Sequence, residues 1–199
     1  MVLNVMVLES EHRAADEAEQ ELADAGHVVL RCHEPGEPAF PCRGLVDAST
    51  CPLRSHVIDV ALTVRSRVRS QPAPSEDGVR CALMSRVPLV VAGPSALDPY
   101  DGLETRALDR TYDVVAACEE AATAGLGAYE RRAEAAIAGT GDPKVRVTRI
   151  AGGLRVRVDG LDGVNSRERR AAVARIVGAL RTFDRDARTI DIVVGDGTP

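Results

Sequence analysis

Four cysteines stand out among the residues whose types and spacing could support chemistry. Three lie in or beside an irregular, proline-rich segment and one lies further along the chain: Cys32, Cys42, Cys51 and Cys81. Thiolates are preferred ligands of zinc and of iron–sulfur clusters, which accept four cysteines or three with a histidine. The spacing C-x9-C-x8-C-x29-C holds no C-x-x-C pair and is less specific than a zinc ribbon or ferredoxin signature. We therefore predict a four-cysteine site for zinc or an iron–sulfur cluster.

The segment 33–56 gives this prediction its context. It carries four prolines and shows no helical or strand periodicity, and an irregular loop of this length inside a domain is usually functional or disordered. A bound metal would close such a loop effectively. Cys32 and Cys81 are both expected at the carboxyl edge of the predicted sheet, and His33 and His56 are reserve ligands.

An alternative without a metal stays open for these cysteines. Free cysteine behaves as a small apolar residue that is often buried, so the four positions could be scattered by chance. Cys118 lies in an alanine-rich helical segment and is predicted to pack in the core. In this alternative the protein is an interaction or assembly module.

Motifs of catalysis are scarce in this chain. No G-x-G-x-x-G follows the first apolar run, and the residues GPS at 93–95 form neither a nucleophile elbow nor a phosphate loop. The turn DPYD at 98–101 is predicted to cap a helix rather than to supply a general acid and base. We therefore expect a non-catalytic protein. The alternative is a small-molecule or nucleotide-binding α/β enzyme domain that uses the crevice near 93–102.

Charge is divided unevenly along the chain. Residues 1–143 include 13 basic and 23 acidic residues, whereas residues 144–199 include 12 basic and 7 acidic ones. A basic hairpin face could bind phosphates or anionic lipid, but a solvated or domain-docking face is favoured because the whole chain is acidic. The face consists of Arg146, Arg155 and Arg157 beside Arg167, Arg169 and Arg170. Aromatic residues make up only 3% of the chain, so few side chains can stack on bases, and we do not expect the protein to bind nucleic acid. We expect a protein partner or self-association.

Apolar runs and helical periodicity define the elements that must position these residues. Five runs without polar alternation are typical of strands buried on both faces of a parallel sheet. They are Val2–Leu8, His27–Cys32, Val57–Val64, Val87–Ala92 and Asp113–Ala117. Helices are predicted between and after them at Glu11–Ala25, Gly78–Arg86, Leu103–Asp109 and Cys118–Ala138. This alternation predicts an α/β fold, with a five-stranded, doubly wound parallel sheet over residues 1–138.

The residues after this sheet form a separate pattern. Gly139–Pro143 is predicted to be a linker. Beyond it, two alternating segments that meet at Gly152-Gly153 predict a hairpin. Asn165 and Glu168 are predicted to form a capping box at the start of a helix, and Ile190–Val194 is a last strand. The sequence therefore predicts a small ββαβ domain over 144–199.

The order and spacing of the predicted strands resemble those of CheY-like receiver domains. The resemblance covers residues 1–138, with DVALTV at 59–64 as the third strand. Receivers are phosphorylated on an aspartate at the end of that strand. They also have an acidic pair after the first strand that holds Mg²⁺, a serine or threonine after the fourth strand and a lysine after the fifth. The resemblance implies a flavodoxin-like fold and a regulatory function.

The chain departs from the receiver pattern at the phosphate acceptor. The third strand ends in TVR at 63–65 without a carboxylate, and AC at 117–118 stands where the resemblance places the lysine. ESE at 9–11 could supply the acidic pair, but aspartyl phosphate can neither form nor be stabilised without an acceptor. We therefore predict a pseudo-receiver. The unit at 144–199 is weakly similar to the αβ modules of the alkaline-shock protein family, from which no site residue follows.

The overall composition is that of a globular protein. Hydrophobic residues make up 45% of the chain and charged residues 28%. The apolar start Met1–Leu8 is too short for a signal peptide, and no stretch approaches the roughly 20 apolar residues of a membrane span. We expect a cytoplasmic protein in which the cysteines are reduced.

Overall fold

The computed structural model describes residues 2–35, 40–94, 96–109, 113–150, 153–185 and 187–195. The predicted loop residue Pro38, the predicted turn residue Gly152 and Ser95, which follows the fourth predicted strand, lie outside these ranges. By its internal contacts the chain divides into two units, Met1–Gly125 and Leu126–Pro199. The linker proposed for 139–143 stays a prediction as a domain boundary.

Among the described residues, five parallel strands form the sheet of the first unit. Its strands are β1 (Asn4–Glu9), β2 (Val28–Arg31), β3 (Val60–Val64), β4 (Leu89–Ala92) and β5 (Arg106–Leu108). Its helices are α1 (Asp16–Asp24), α2 (Arg43–Val46), α3 (Pro52–Ser55), α4 (Asp77–Met84) and α5 (Val114–Ala136), the last of which continues into the second unit. The strand order β2-β1-β3-β4-β5 is that of flavodoxin-like doubly wound sheets. The predicted α/β fold is therefore confirmed.

The central strands are buried on both faces because their side chains are apolar at successive positions. Val7 and Leu62 belong to the core that packs with α1 and α5. Met6 and Ala61 point to the opposite face and pack with α4. This double layer of helices leaves the ends of the strands as the places where polar side chains can gather.

The predictions for the fifth strand and for the helix before it are wrong. β5 lies at Arg106–Leu108, inside the predicted helix Leu103–Asp109, and the predicted strand Asp113–Ala117 leads into the first turn of α5. Val114 and Cys118 are one helical turn apart and both are fully buried, so this apolar run forms the inner face of a helix. A short apolar run has the same composition in a strand and in a helix, and its length alone does not distinguish the two.

In the described part of the second unit, three strands form a sheet that is packed with a helix. The elements are β6 (Lys144–Ile150), β7 (Gly153–Asp159), α6 (Ser166–Phe183) and β8 (Thr189–Val194). β6 and β7 are antiparallel and β8 is parallel to β7, which confirms the predicted ββαβ unit. The Asn165 side chain accepts hydrogen bonds from two backbone N–H groups of α6, as predicted for an N-cap. None of the described helices, α5 with its 23 residues included, is long and apolar enough to cross a membrane.

Candidate functional site

The four predicted ligand cysteines come from four places in the first unit. Cys32 directly follows β2, Cys42 and Cys51 are the N-cap residues of the one-turn helices α2 and α3, and Cys81 lies on α4. The helices α2 and α3 lie in the proline-rich segment for which no element is predicted. Each of the five cysteines of the chain is described, and all are free thiols.

The side chains of these four cysteines, here called the cysteine cluster, lie close together. A Cβ added to Gly78 would lie 3.3 Å from Cys32 Sγ, so the Cys32 thiol lies against α4, the helix that carries Cys81. Cys42 and Cys51 share a small space beside Gly44, because a Cβ added to Gly44 would lie 3.6 Å from Cys42 Sγ and 3.5 Å from Cys51 Sγ. Burial raises the pKa of Cys81, and the neighbouring Cys42 and Cys51 raise it further. The fold therefore brings together residues that are far apart in the chain.

Burial also raises the pKa of the thiols of Cys32 and Cys118. It raises the pKa of Cys32 to about 11, and the other cysteines of the cluster add to this effect. It raises the pKa of Cys118 to about 12, because this residue is enclosed in the core between the sheet and α5. The prediction that Cys118 packs in the core is confirmed. A metal ion that binds at Cys32 must displace the thiol proton.

The described residues include no group of three or more His, Cys, Asp or Glu side chains that is arranged to hold a metal ion. The two reserve histidines have other contacts. His33 Nε2 lies 2.9 Å from the carbonyl oxygen of Ser75, and His56 Nδ1 lies 2.8 Å from Ser55 Oγ. Among the described residues, the thiols of the cysteine cluster are therefore not arranged as a set of metal ligands.

The acidic residues at the end of β1 are bound by arginines. Glu9 is buried, and its Oε1 lies 3.3 Å from Arg31 Nη1. Glu11 accepts a hydrogen bond from Arg69 Nε at 2.7 Å and two more from the backbone N–H and the hydroxyl of Ser66. Each carboxylate of the predicted acidic pair therefore has a guanidinium group beside it, and Arg31 Nε also lies 2.6 Å from Glu19 Oε1.

A buried arginine occupies the carboxyl end of β3. Arg65 Nε lies 3.3 Å from Glu76 Oε1, its Nη1 lies 3.7 Å from Asp98 Oδ1, and its guanidinium lies over the ring of Tyr100. Glu76 is only 1% exposed and also accepts a hydrogen bond from Thr63 Oγ1. Sequence reasoning missed Glu76. A signal was present, since an arginine that directly follows a buried strand requires a carboxylate nearby when it is itself buried.

Two further sequence predictions concern the carboxyl edge of the sheet, namely the turn at 98–101 and the position after the fifth strand. The turn at 98–101 is confirmed, and Asp98 accepts a hydrogen bond from the backbone N–H of Tyr100. Its predicted role as a helix cap is wrong, because β5 is the next element after the turn. The residue that follows β5 is Asp109, so the pair 117–118, which lies on α5, is not the position after the fifth strand.

The basic face of the second unit is partly neutralised within its own sheet. Arg155 Nε lies 2.8 Å from Asp191 Oδ2, and Arg157 Nε lies 3.0 Å from Asp159 Oδ1. Arg146 stands opposite Arg157 in the β6–β7 register. The two ion pairs favour the predicted solvated or docking face over an anion-binding one, because they leave less positive charge for a ligand.

Comparisons of the chain with protein-family models, with curated proteins and with solved structures find no match. Topology therefore defines the class of protein: a flavodoxin-like α/β unit followed by a ββαβ unit. Two features distinguish the first unit within that class. One is the cysteine cluster, and the other is the set of arginine–carboxylate pairs at the carboxyl edge of the sheet.

Proposed function

We propose that this chain is a non-catalytic regulatory or sensor protein, in which a degenerate receiver-like unit binds a metal ion or an iron–sulfur cluster through the cysteine cluster. The observation that carries the proposal is the proximity of Cys32, Cys42, Cys51 and Cys81, which come from four separate places in the fold. The proposal is favoured over chance scattering of small apolar residues because every cysteine except the core residue Cys118 belongs to the cluster.

The contacts at the end of β3 support a regulatory role without phosphoryl transfer. A receiver presents an acceptor aspartate at this position, whereas this chain has Arg65, which is held by Glu76 and Asp98. Glu9 and Glu11, the counterparts of the residues that hold Mg²⁺, are paired with arginines. Phosphoryl transfer requires the acceptor and the cation together, and the residues here favour neither.

A bound metal would stabilise the segment that contains α2 and α3, where packing contributes little. The helices α2 and α3 have four residues each, and most of the residues in 40–56 are exposed, so burial of apolar surface contributes little there. Bonds to four thiolates would tie this segment to β2 and α4. Structural zinc contributes on the order of 10 kcal/mol in small domains. Gain or loss of the metal would then order or release the segment, which is a physical basis for a sensor.

Anaerobic purification, followed by metal analysis and an absorption spectrum, tests the proposal. We expect a stoichiometric metal in the purified chain and its loss when Cys42 and Cys51 are both replaced by serine. The matched control is Cys118→Ala, which removes a core thiol and keeps the metal. Circular dichroism verifies that each variant is folded. Folded, fully reduced wild-type protein that contains no metal and takes up none would overturn the proposal.

A further inference from the structure

We propose that β8, an outer strand of the second unit, pairs with β8 of a second copy of this chain in an antiparallel interface. The two three-stranded sheets would then form one continuous sheet with the two β8 strands at its centre. Pairing of this kind closes after two copies, because each copy offers the same edge to the other. The proposed interface lies in the second unit and does not depend on the cysteine cluster.

The outer side of β8 carries backbone groups that can accept another strand. Directly after β8, the N–H of Gly195 donates to the carbonyl oxygen of Val158 on β7 at 2.9 Å. The N–H and C=O of one residue point to the same side of a strand, and this side alternates along the chain. The odd-numbered residues of β8 therefore bond to β7. Ile190, Ile192 and Val194 direct their backbone groups to the open edge, where the described part of the sheet has no further strand.

The opposite edge of the same sheet, along β6, is covered. The N–H of Val147 points away from β7 and donates to Glu130 Oε1 of α5 at 3.0 Å. The side chains of Val145 and Val147 are both buried. Natural sheets protect their outer strands by such contacts, because an uncovered edge pairs readily with another chain. β8 is therefore the edge of this sheet that is available to a partner.

Apolar side chains extend to this open edge. The three side chains that β8 directs to the core, those of Ile190, Ile192 and Val194, are only partly buried. Their neighbours in the register are Leu154, Val156 and Val158 of β7, which are at most 1% exposed. The core layer thus reaches the edge incompletely covered. The same three side chains of a second copy would cover it, and burial of their apolar surface favours association.

The pattern of β8 selects one register for this pairing. With Ile192 opposite Ile192 of the second copy, Ile190 lies opposite Val194, and all the outward N–H and C=O groups are paired. Asp191 then lies opposite Val193 on the solvent face. The register centred on Asp191 would place two aspartates opposite each other, which is destabilising. Pairing of two short strands buries less than the roughly 1,200 Å² of stable interfaces, so we expect a reversible dimer.

Sedimentation velocity of the full-length chain, reduced and with a chelator present, tests the proposal over a range of concentrations. We expect a monomer–dimer equilibrium. Val193→Asp alters a side chain that is 42% exposed and places it opposite Asp191 of the second copy. It is expected to weaken association roughly tenfold, because two like-charged pairs form in each dimer. Val193→Lys, with the opposite charge, is expected not to weaken it. Thr148→Asp, at an exposed position of the covered strand β6, is the matched control and is expected to have no effect.

Hydrogen exchange measured by NMR locates the contact. Dimer formation is expected to slow exchange of the Ile190, Ile192 and Val194 amides about tenfold or more, and to change those of Asp191 and Val193 less, since these already bond to β7. Circular dichroism verifies that each variant is folded. A chain that stays monomeric at concentrations well above the micromolar range would overturn the proposal. Association that Val193→Asp leaves unchanged, or that Val193→Lys or Thr148→Asp weakens as much, would overturn the assigned register and edge.

Discussion

A guanidinium group at the carboxyl end of β3 determines what chemistry this end of the strand allows. Arg65 and Glu76 are both buried, and buried charges persist in proteins when they are paired and hydrogen-bonded. Thr63 and Asp98 complete the contacts around the pair. The end of the strand is therefore occupied by an internal ion pair, and it presents a guanidinium group where aspartyl phosphate formation requires a carboxylate.

Replacement of Glu76 by glutamine tests the strength of this pair. The change leaves the buried charge of Arg65 with only part of its compensation, and we expect the free energy of unfolding to fall by about 3 kcal/mol. Glu134→Gln, at an exposed position of α5, is the control and is expected to change it by less than about 0.5 kcal/mol. Urea denaturation of both variants gives the two values. Equal losses would contradict the role assigned to Glu76.

The carboxylate of Glu11 provides a test by pH. Burial opposes its ionisation, but hydrogen bonds from Ser10, Ser66 and Arg69 outweigh burial and lower its pKa from 4.5 to about 2. A group whose pKa is lowered by folding stabilises the protein above its ordinary pKa, and this stabilisation is lost as the pH falls toward the folded-state value. The contribution is therefore complete above about pH 5 and declines between pH 4.5 and pH 2.

Comparison of the wild type with Glu11→Gln at several pH values measures this contribution. We expect a difference in the free energy of unfolding of about 1 kcal/mol at pH 7, because Arg69 is 41% exposed and solvent screens the pair. The difference is expected to shrink as the pH is lowered from 4.5 toward 2. A difference that stays constant over this range would show that the ionised carboxylate of Glu11 does not stabilise the fold.

Among the elements, those with many buried positions are the ones that the sequence predicts well. β1, β3 and β4 are apolar at successive positions, which is stable only between two layers of helices. β5 has three residues and an exposed Arg106, so it offers too few positions for a periodic pattern. The helices α2 and α3 are single turns, and the same limit applies to them.

Within the candidate site, sheet geometry predicts the positions of the cysteines that lie near the carboxyl edge. Carboxyl ends of parallel strands meet at one edge, which places Cys32 near the helix that carries Cys81. The positions of Cys42 and Cys51 depend on the path of an irregular segment, and no periodicity encodes that path. Glu76 was missed although it is the only carboxylate in the segment 65–76, because the sequence does not show that Arg65 is buried and needs a partner.

Limited proteolysis tests whether metal orders the segment that contains α2 and α3. Arg43 and Arg54 are exposed trypsin sites within it. Because zinc would tie the segment to β2 and α4, we expect Zn²⁺ to slow cleavage after both arginines at least tenfold in the wild type. The same addition is expected to have no effect on Cys42→Ser. Equal cleavage rates with and without zinc in the wild type would contradict a structural role for the metal.

The whole molecule consists of two units, each with its own apolar core. The second unit was predictable because Val145 and Val147 alternate with polar residues in a strand that has one solvated face. Its net positive charge contrasts with the negative charge of the rest of the chain. Two of its arginines are paired inside the sheet, which leaves less unpaired positive charge on this face.

Phosphorylation is tested on the intact chain. After incubation with acetyl phosphate and Mg²⁺ we expect no increase in mass and no change in oligomeric state, because Arg65 stands in place of an acceptor and Glu9 and Glu11 are paired with arginines. Mass spectrometry of the intact protein gives the answer. A phosphoryl adduct on any aspartate that hydroxylamine removes would show that the receiver-like unit is active.

The most direct measurement of the central claim is native mass spectrometry of the full-length chain after reduction and addition of zinc. The account predicts a species heavier than the chain by a bound zinc ion, less the thiol protons that the metal displaces. Cys81→Ser, measured alongside, is predicted to show mainly the mass of the chain alone. A folded wild-type chain that gives only its own mass, at zinc concentrations well above its own, would contradict the account.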